Sequence, residues 1–419
     1  IPSLGGQLVS YSFDKSRSLF ERAARVIPQG IPGHLTPVIT VPGSFPYFAV
    51  RARGSRFWDV DGNEFIDYMC GYGPMILGYA NEKVDEAYRA QARLGSCTSI
   101  ATSLSVELAE TITQLIDCAD WVLFAKNGAD ATSMAVMLAR GHTKRPKIVL
   151  AEEGYHGTQP WAGTNTVGIT PRDRADIVMV PWGDLNAFQD ALTRHKGQVA
   201  GVMCTPYHHP VFADQKLPAP SFWPEMRKVC DEHGIVLIID DVRAGWRLDL
   251  KGSGHYFGIR PDLACYSKAM ANGYAISALV GTDRLRITAS KAYFAGSFWC
   301  NAPEMAAALA CIEEMKAIDA PKVVRELGEK LMKGLGERAS AHGLSVSITG
   351  PAAIPFMKFA NETNFLRSQL FCGECAKRGV FFHPHHNWFL STAHTEQDIE
   401  QSLAVADECF GIVKERFGG

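Results

Sequence analysis

Asp240 and Lys268 are the two residues whose types and settings point most directly to chemistry. The apolar run Ile235-Val236-Leu237-Ile238-Ile239 ends in Asp240-Asp241-Val242-Arg243-Ala244-Gly245, and Lys268 follows within Cys265-Tyr266-Ser267-Lys268-Ala269-Met270-Ala271-Asn272-Gly273. A short apolar run closing on a carboxylate reads as a buried parallel strand that delivers an acid to its carboxyl end, where open α/β sheets place their ligands. An acid and a lysine so placed suit pyridoxal 5'-phosphate (PLP) chemistry. The amine forms a Schiff base with the cofactor aldehyde, and the carboxylate keeps the pyridinium nitrogen protonated so that the ring acts as an electron sink. Taken singly, each has an ordinary explanation: a strand-end Asp is often a helix cap, and a lone Lys is usually at the surface.

The surrounding residues favour the chemical reading. The stretch resembles the class III aminotransferases, whose cofactor strand ends in Asp-Glu-Val-x-x-Gly and whose Schiff-base lysine sits before a small-residue segment ending in Gly. Asp241 replaces the usual Glu, while Gly245, Arg247 and Pro261-Asp262-Leu263 fall where the pattern expects them. Cys70-Gly71-Tyr72-Gly73-Pro74-Met75-Ile76-Leu77-Gly78 and Phe389-Leu390-Ser391-Thr392-Ala393-His394-Thr395 resemble the glutamate-1-semialdehyde aminomutase-like subgroup. The resemblance runs from about Ile27 to the last helix. It implies fold type I, with a mostly parallel seven-stranded sheet in a large domain and a smaller α+β domain built from both termini.

A phosphate needs backbone N–H groups at a helix start. Lys126-Asn127-Gly128-Ala129-Asp130-Ala131 offers a tight turn between a strand and the helical run Ser133 to Arg140, with Gly128 allowing close approach. The family commonly has Gly-Thr-Glu or Gly-Ser-Glu here, so Ala129 lacks a hydroxyl worth about 0.5–1.5 kcal/mol as a hydrogen bond. Gly154-Tyr155-His156-Gly157 resembles the family's Tyr-His-Gly, which implies that Tyr155 lies on one face of the cofactor ring, with His156 beside it. Val242, in phase with Asp240 along an extended chain, is expected on the other face. Gly296-Ser297-Phe298 resembles the segment by which a second subunit brings a hydroxyl to the phosphate, which implies a homodimer with a shared site.

The elements that must hold these residues alternate along the chain. Strand-like runs occur at 121–124, 147–150, 177–180, 199–203, 235–239, 263–266 and 276–280, with helical stretches between several of them, the pattern of a mostly parallel, doubly covered sheet. A helix from Phe13 is stopped by Pro28, and Asp61-Gly62 marks a hairpin turn. After Glu304 a long helix begins. Short strands and two helices follow from about Ser345, the last helix opened by a capping box at Thr395-Glu396-Gln397-Asp398. The expected division is 1–59 and 301–419 for the smaller domain and 60–300 for the PLP-binding domain.

Composition bounds the rest. The 419 residues are 47% hydrophobic and 21% charged, ordinary globular usage, with a net charge of −2. No basic block stands out, so neither nucleic acid nor an anionic membrane is an expected partner. Eleven cysteines include one CxxC, Cys372 and Cys375, which lacks the second pair a zinc ribbon needs. Free thiols in a reducing cytosol are the simpler account. His208-His209 and His383-Pro384-His385-His386 read as loop or channel histidines, because neither gives an i, i+4 helical pair. No metal is expected. The N-terminus has no apolar signal core, and no apolar run approaches the length of a membrane span, so a cytoplasmic enzyme is expected.

The departures from the subgroup cluster at expected substrate contacts. The resemblance implies an arginine for the substrate carboxylate near the N-terminus, but Pro28-Gln29-Gly30-Ile31-Pro32-Gly33-His34 places His34 there, and Tyr72 stands at the subgroup's Trp position. Imidazole for guanidinium is not a conservative exchange. The expected activity is therefore an aminotransferase moving an amino group from a non-standard amine or amino acid to a small keto acid. A 2,1-aminomutase or a racemase would use the same cofactor set, and a silent PLP-fold protein would have no need for a buried amine.

Overall fold

The computed structural model describes residues 11–31, 48–163 and 167–418. After a helix at Asp14–Ala23, three antiparallel strands follow: β1 (Ala49–Arg53), β2 (Arg56–Asp59) and β3 (Glu64–Asp67), with Asp61-Gly62 turning β2 into β3. Next come β4 (Trp121–Ala125), β5 (Lys147–Ala151), β6 (Ile177–Val180), β7 (Val199–Cys204), β8 (Val236–Asp240), β9 (Leu263–Tyr266) and β10 (Ser277–Gly281). These are the seven runs read as strands from the sequence. They form one sheet in the order β4-β10-β9-β8-β7-β5-β6. The strands from β5 to β9 run parallel, and β10 is antiparallel to both its neighbours. This is the fold type I architecture.

β8 lies between β7 and β9, and all five of its residues are buried. A strand covered on both faces by helices loses its polar alternation, which explains the unbroken Val-Leu-Ile-Ile. The strand begins one residue later than the apolar run and includes Asp240, which pairs with Cys265 on β9. The ladder itself therefore fixes the position of the carboxylate.

The helix Gly128–Thr143 crosses the sheet with Ala131, Met134, Ala135, Leu138 and Ala139 buried. It starts five residues before the helical run read from the sequence. The extra turn exists because the Asp130 carboxylate folds back to accept the Asn127 backbone N–H at 2.8 Å, capping the start. That cap sets the first N–H groups at the edge of the sheet's carboxyl end.

Both ends of the chain share the other core. β13 (Val380–Phe381) pairs parallel with β3, while β11 (Val346–Thr349) and β12 (Phe356–Phe359) form a separate antiparallel pair. Phe13, Phe65, Phe371 and Phe410 belong to one buried cluster. The expected capping box is present: Thr395 N–H reaches Asp398 Oδ2 at 2.9 Å, and Asp398 N–H reaches Thr395 Oγ1 at 3.0 Å. Asp398 also accepts from Ser55 at 3.0 Å and from Arg56 at 2.5 Å, tying the β2–β3 hairpin to the last helix. Residue 60, the expected domain boundary, falls inside that hairpin. Cys372 and Cys375 are both buried in the helix Leu366–Ala376. Among the described residues no helix is long and apolar enough to cross a membrane.

Candidate active site

A cavity of about 510 Å³ opens at the carboxyl end of the sheet, and Asp240 and Lys268 both line it. Asp240 is 5% exposed. Its Oδ2 lies 2.7 Å from His156 Nδ1, and its Oδ1 accepts the Val242 N–H at 3.2 Å. Because the carboxylate accepts, Nδ1 is the donor. The other ring nitrogen, Nε2, is buried with no partner among the described residues. The His156 carbonyl in turn accepts Thr132 Oγ1 at 2.7 Å, fastening this loop to the helix that starts at Gly128.

The opposite end of the cavity is that helix start. Two close approaches explain the residues there. A Cβ on Gly128 would stand 2.8 and 2.9 Å from the Val242 methyls, and one on Gly157, at φ +122°, would stand 2.7 Å from the Ala129 methyl. Glycine at both places lets strand turn, loop and helix meet, and leaves the helix N–H groups facing the cavity. Asn127, Gly128 and Ala129 all line it, as do Tyr155 and Val242.

Lys268 opens a short 3-10 turn, Lys268–Ala271, with φ +42°. A left-handed lysine costs about 1–3 kcal/mol of backbone strain, which marks a position held by its surroundings. Burial pushes its ammonium down to about 7; Arg243 and Arg247 push the same way, and Asp240 opposes them. Asp241 faces elsewhere. Its Oδ2 accepts the Ser253 N–H at 2.8 Å, and burial raises its carboxyl to about 7. Asp240, rather than its neighbour, is thus the acid of the cavity.

Other expected residues are placed differently. Ser297 and Phe298 are exposed and lie outside this cavity wall, with the Ser297 carbonyl accepting from Cys97 Sγ at 3.1 Å. Tyr72 is not in the wall; its ring packs edge-on against His386 at 5.3 Å. His34 lies outside the described residues. Trp388 is fully buried in the core shared by the two chain ends, its Nε1 donating to the His383 carbonyl at 2.8 Å, and so lines no substrate pocket. Arg247 is fully buried and donates to the carbonyls of Leu390, at 2.6 Å, and Gly73, so it braces the turn after β8.

The sequence reading missed Arg243 and Gln159, which line the cavity together with Thr205 and His209. Two-residue alternation carries Asp240 and Val242 inward but fails at Arg243, because the chain leaves the strand into a turn there. Burial, with Arg243 and Lys268 nearby, holds His209 well below the usual imidazole range, hence neutral. Among the described residues no group of three His, Cys, Asp or Glu is placed to hold a metal.

The buried acid with a fixed partner, the depressed lysine and the glycine-lined helix start together fit PLP. Comparison with known proteins gives the same class: the Aminotransferase class-III family matches residues 40–396, and the chain belongs to it. It is similar to an aminopentol aminotransferase of Sphingopyxis macrogoltabida, 41% identical over 96% of this chain and 95% of that protein. It is also similar to a 3-aminobutyryl-CoA aminotransferase of Cloacimonas acidaminovorans (strain Evry), 33% identical over 96% and 97%. The solved PLP internal aldimine form of the FumI protein of Sphingopyxis sp. MTA144 superposes with a TM-score of 0.95 at 41% identity, covering 97% of this chain and 98% of that one. This protein is a PLP-dependent class III aminotransferase.

The depressed lysine makes a pH prediction. In the cofactor-free protein the fraction of Lys268 present as free amine should rise through about pH 7, far below its ordinary 10.5. Between those values the unfolded chain holds the proton and the folded one does not, so stability should also rise with pH across that window. Acylation of Lys268 followed by mass spectrometry checks it; a midpoint in the ordinary lysine range contradicts the environment described.

Proposed function

We propose that Lys268 is the amine that holds the cofactor aldehyde and then carries the proton between the substrate carbon and the cofactor. Asp240, oriented by His156, is placed to face the ring nitrogen, and Asn127, Gly128 and Ala129 take the phosphate through backbone N–H groups. Tyr155 and Val242 confine the two ring faces. PLP supplies the electron sink when bound. The observation that carries this reading is a half-buried lysine lowered to about 7 in the same cavity as a buried, hydrogen-bonded acid. A neutral amine near working pH accepts a proton and returns it, as general acid–base catalysis requires.

The donor is an amino group on a larger or less acidic molecule than the common α-amino acids or small dicarboxylates, and the acceptor is a small keto acid such as pyruvate. Two things support this: His34 stands where the subgroup has an arginine, and the relatives at 41% and 33% identity are named for aminopentol and 3-aminobutyryl-CoA. Both are aminotransferases, which favours transfer over an aminomutase or racemase outcome. Rates across a panel of amine donors with pyruvate test the assignment, with Lys268→Ala losing turnover while still binding PLP through phosphate contacts. Best kcat/KM on glutamate-1-semialdehyde would transfer the assignment to the aminomutase.

We also infer a homodimer in which Ser297 of one copy reaches the phosphate site of the other, since the exposed Ser297-Phe298 loop has no role in its own chain's cavity wall. Sedimentation of the holoenzyme at catalytic concentration should give a dimer; a fully active monomer contradicts the shared site. The cytoplasm is the proposed location, without membrane or nucleic-acid partners, consistent with a net charge of −2 and thiols left free.

A further inference from the structure

Arg243 is a buried cation that no carboxylate among the described residues pairs with directly, although Asp240 acts on it at longer range. It is 9% exposed and lines the cavity beside Lys268 and His209. Its Nη1 donates to Asn387 Oδ1, and among the described residues it makes no ion pair. Asn387 is itself held by donating to the Trp388 carbonyl at 3.1 Å. The two carboxylates on the cavity wall are already committed: Asp130 caps the Asn127 N–H, and Asp240 is shared between His156 and the Val242 N–H. Burying a guanidinium without an anion is costly, and the rest of its donor fork is left for a ligand.

We propose that Arg243 anchors the carboxylate of the keto-acid acceptor, the contact that a subgroup arginine near the N-terminus would otherwise make. This rests on the reading of a small keto acid as acceptor. A planar fork with one arm pinned by Asn387 presents its free N–H groups in a fixed direction, which suits a carboxylate better than a mobile ammonium. The neighbouring imidazoles do not compete for that role. His209 and His386 are both held neutral, by burial and by Arg243 itself, and offer no charge to an anion. The acceptor's carboxylate would thus be read from the turn after β8, while a donor without a carboxylate makes no such demand. One site would then serve two dissimilar substrates in alternate half-reactions.

The test uses the holoenzyme with Arg243→Gln and Arg243→Lys. Two half-reactions are followed separately by cofactor absorbance: amine alone, then pyruvate alone. Acetate serves as a carboxylate probe, titrated directly against the holoenzyme by its effect on cofactor absorbance. Loss of one charged hydrogen-bonded contact should raise the pyruvate KM and weaken acetate about ten- to a hundredfold in Arg243→Gln. The amine half-reaction should fall much less, and Arg243→Lys should recover part of the loss. If the folded Gln variant binds pyruvate and acetate as wild type does, the proposal is overturned. If that variant instead changes the pH titration of the cofactor's colour while carboxylate affinity stays put, it is overturned too, and Arg243 belongs to the cofactor's ring oxygen. Failure of the wild type to use any small keto acid would refute the acceptor reading alone, and the acetate comparison would still decide the role of Arg243.

Discussion

A carboxylate on the last residue of a fully buried strand has few ways to be stable. Left without partners, Asp240 would impose a large desolvation cost on the folded chain. The 2.7 Å contact with His156 Nδ1 and the Val242 N–H resolve this and fix the direction of both oxygens. Everything else in the cavity is arranged around that fixed acid. His156 is steadied by Thr132, Thr132 belongs to the helix that starts at Gly128, and Gly128 lies against Val242, two residues beyond the acid. The circuit closes on itself, so the helix start and the acid are tied to one another through direct contacts.

Lys268 is the second ionisable group set in this frame. The chain around it is closely packed: Ala269, Met270 and Ala271 are buried, and Asn272, in the left-handed region, donates to the Gly78 carbonyl at 2.8 Å and accepts the Leu77 N–H at 2.8 Å. That brace holds the Gly-Pro-Met-Ile-Leu-Gly segment against the lysine turn and explains how a left-handed lysine backbone is sustained. Strain at one residue is tolerated because its neighbours over-determine it. Desolvation in the same place supplies the neutral amine that a proton carrier needs.

The sheet was legible in the sequence because parallel strands covered on both faces are written as apolar runs, and all seven such runs became strands of one sheet. Asp240 and Lys268 were singled out by their surroundings rather than by their types, since a strand-end Asp and a lone Lys each have ordinary explanations, and both line one cavity. What escaped was pairing over distance. His156 and Asp240 are 84 positions apart, and nothing local to either says that they meet. Arg243 was hidden by the turn that ends strand alternation. Trp388, an aromatic next to a histidine cluster, has the composition of a pocket wall, yet its stacking on Phe382 at 4.1 Å makes it core. In each case the deciding quantity was the direction of a side chain after a regular element stops.

The central claim is that Asp240, and not the adjacent Asp241, faces the reacting cofactor. The most direct measurement is the single-turnover rate of proton loss from a bound amine in Asp240→Ala and Asp241→Ala, each checked for folding. The account predicts a much slower step and weak cofactor retention for Asp240→Ala, with a milder effect for Asp241→Ala, whose carboxyl serves the Ser253 N–H on the far side of the strand. A larger loss in Asp241→Ala would place the cofactor's acid one residue further along and contradict the geometry on which the rest depends.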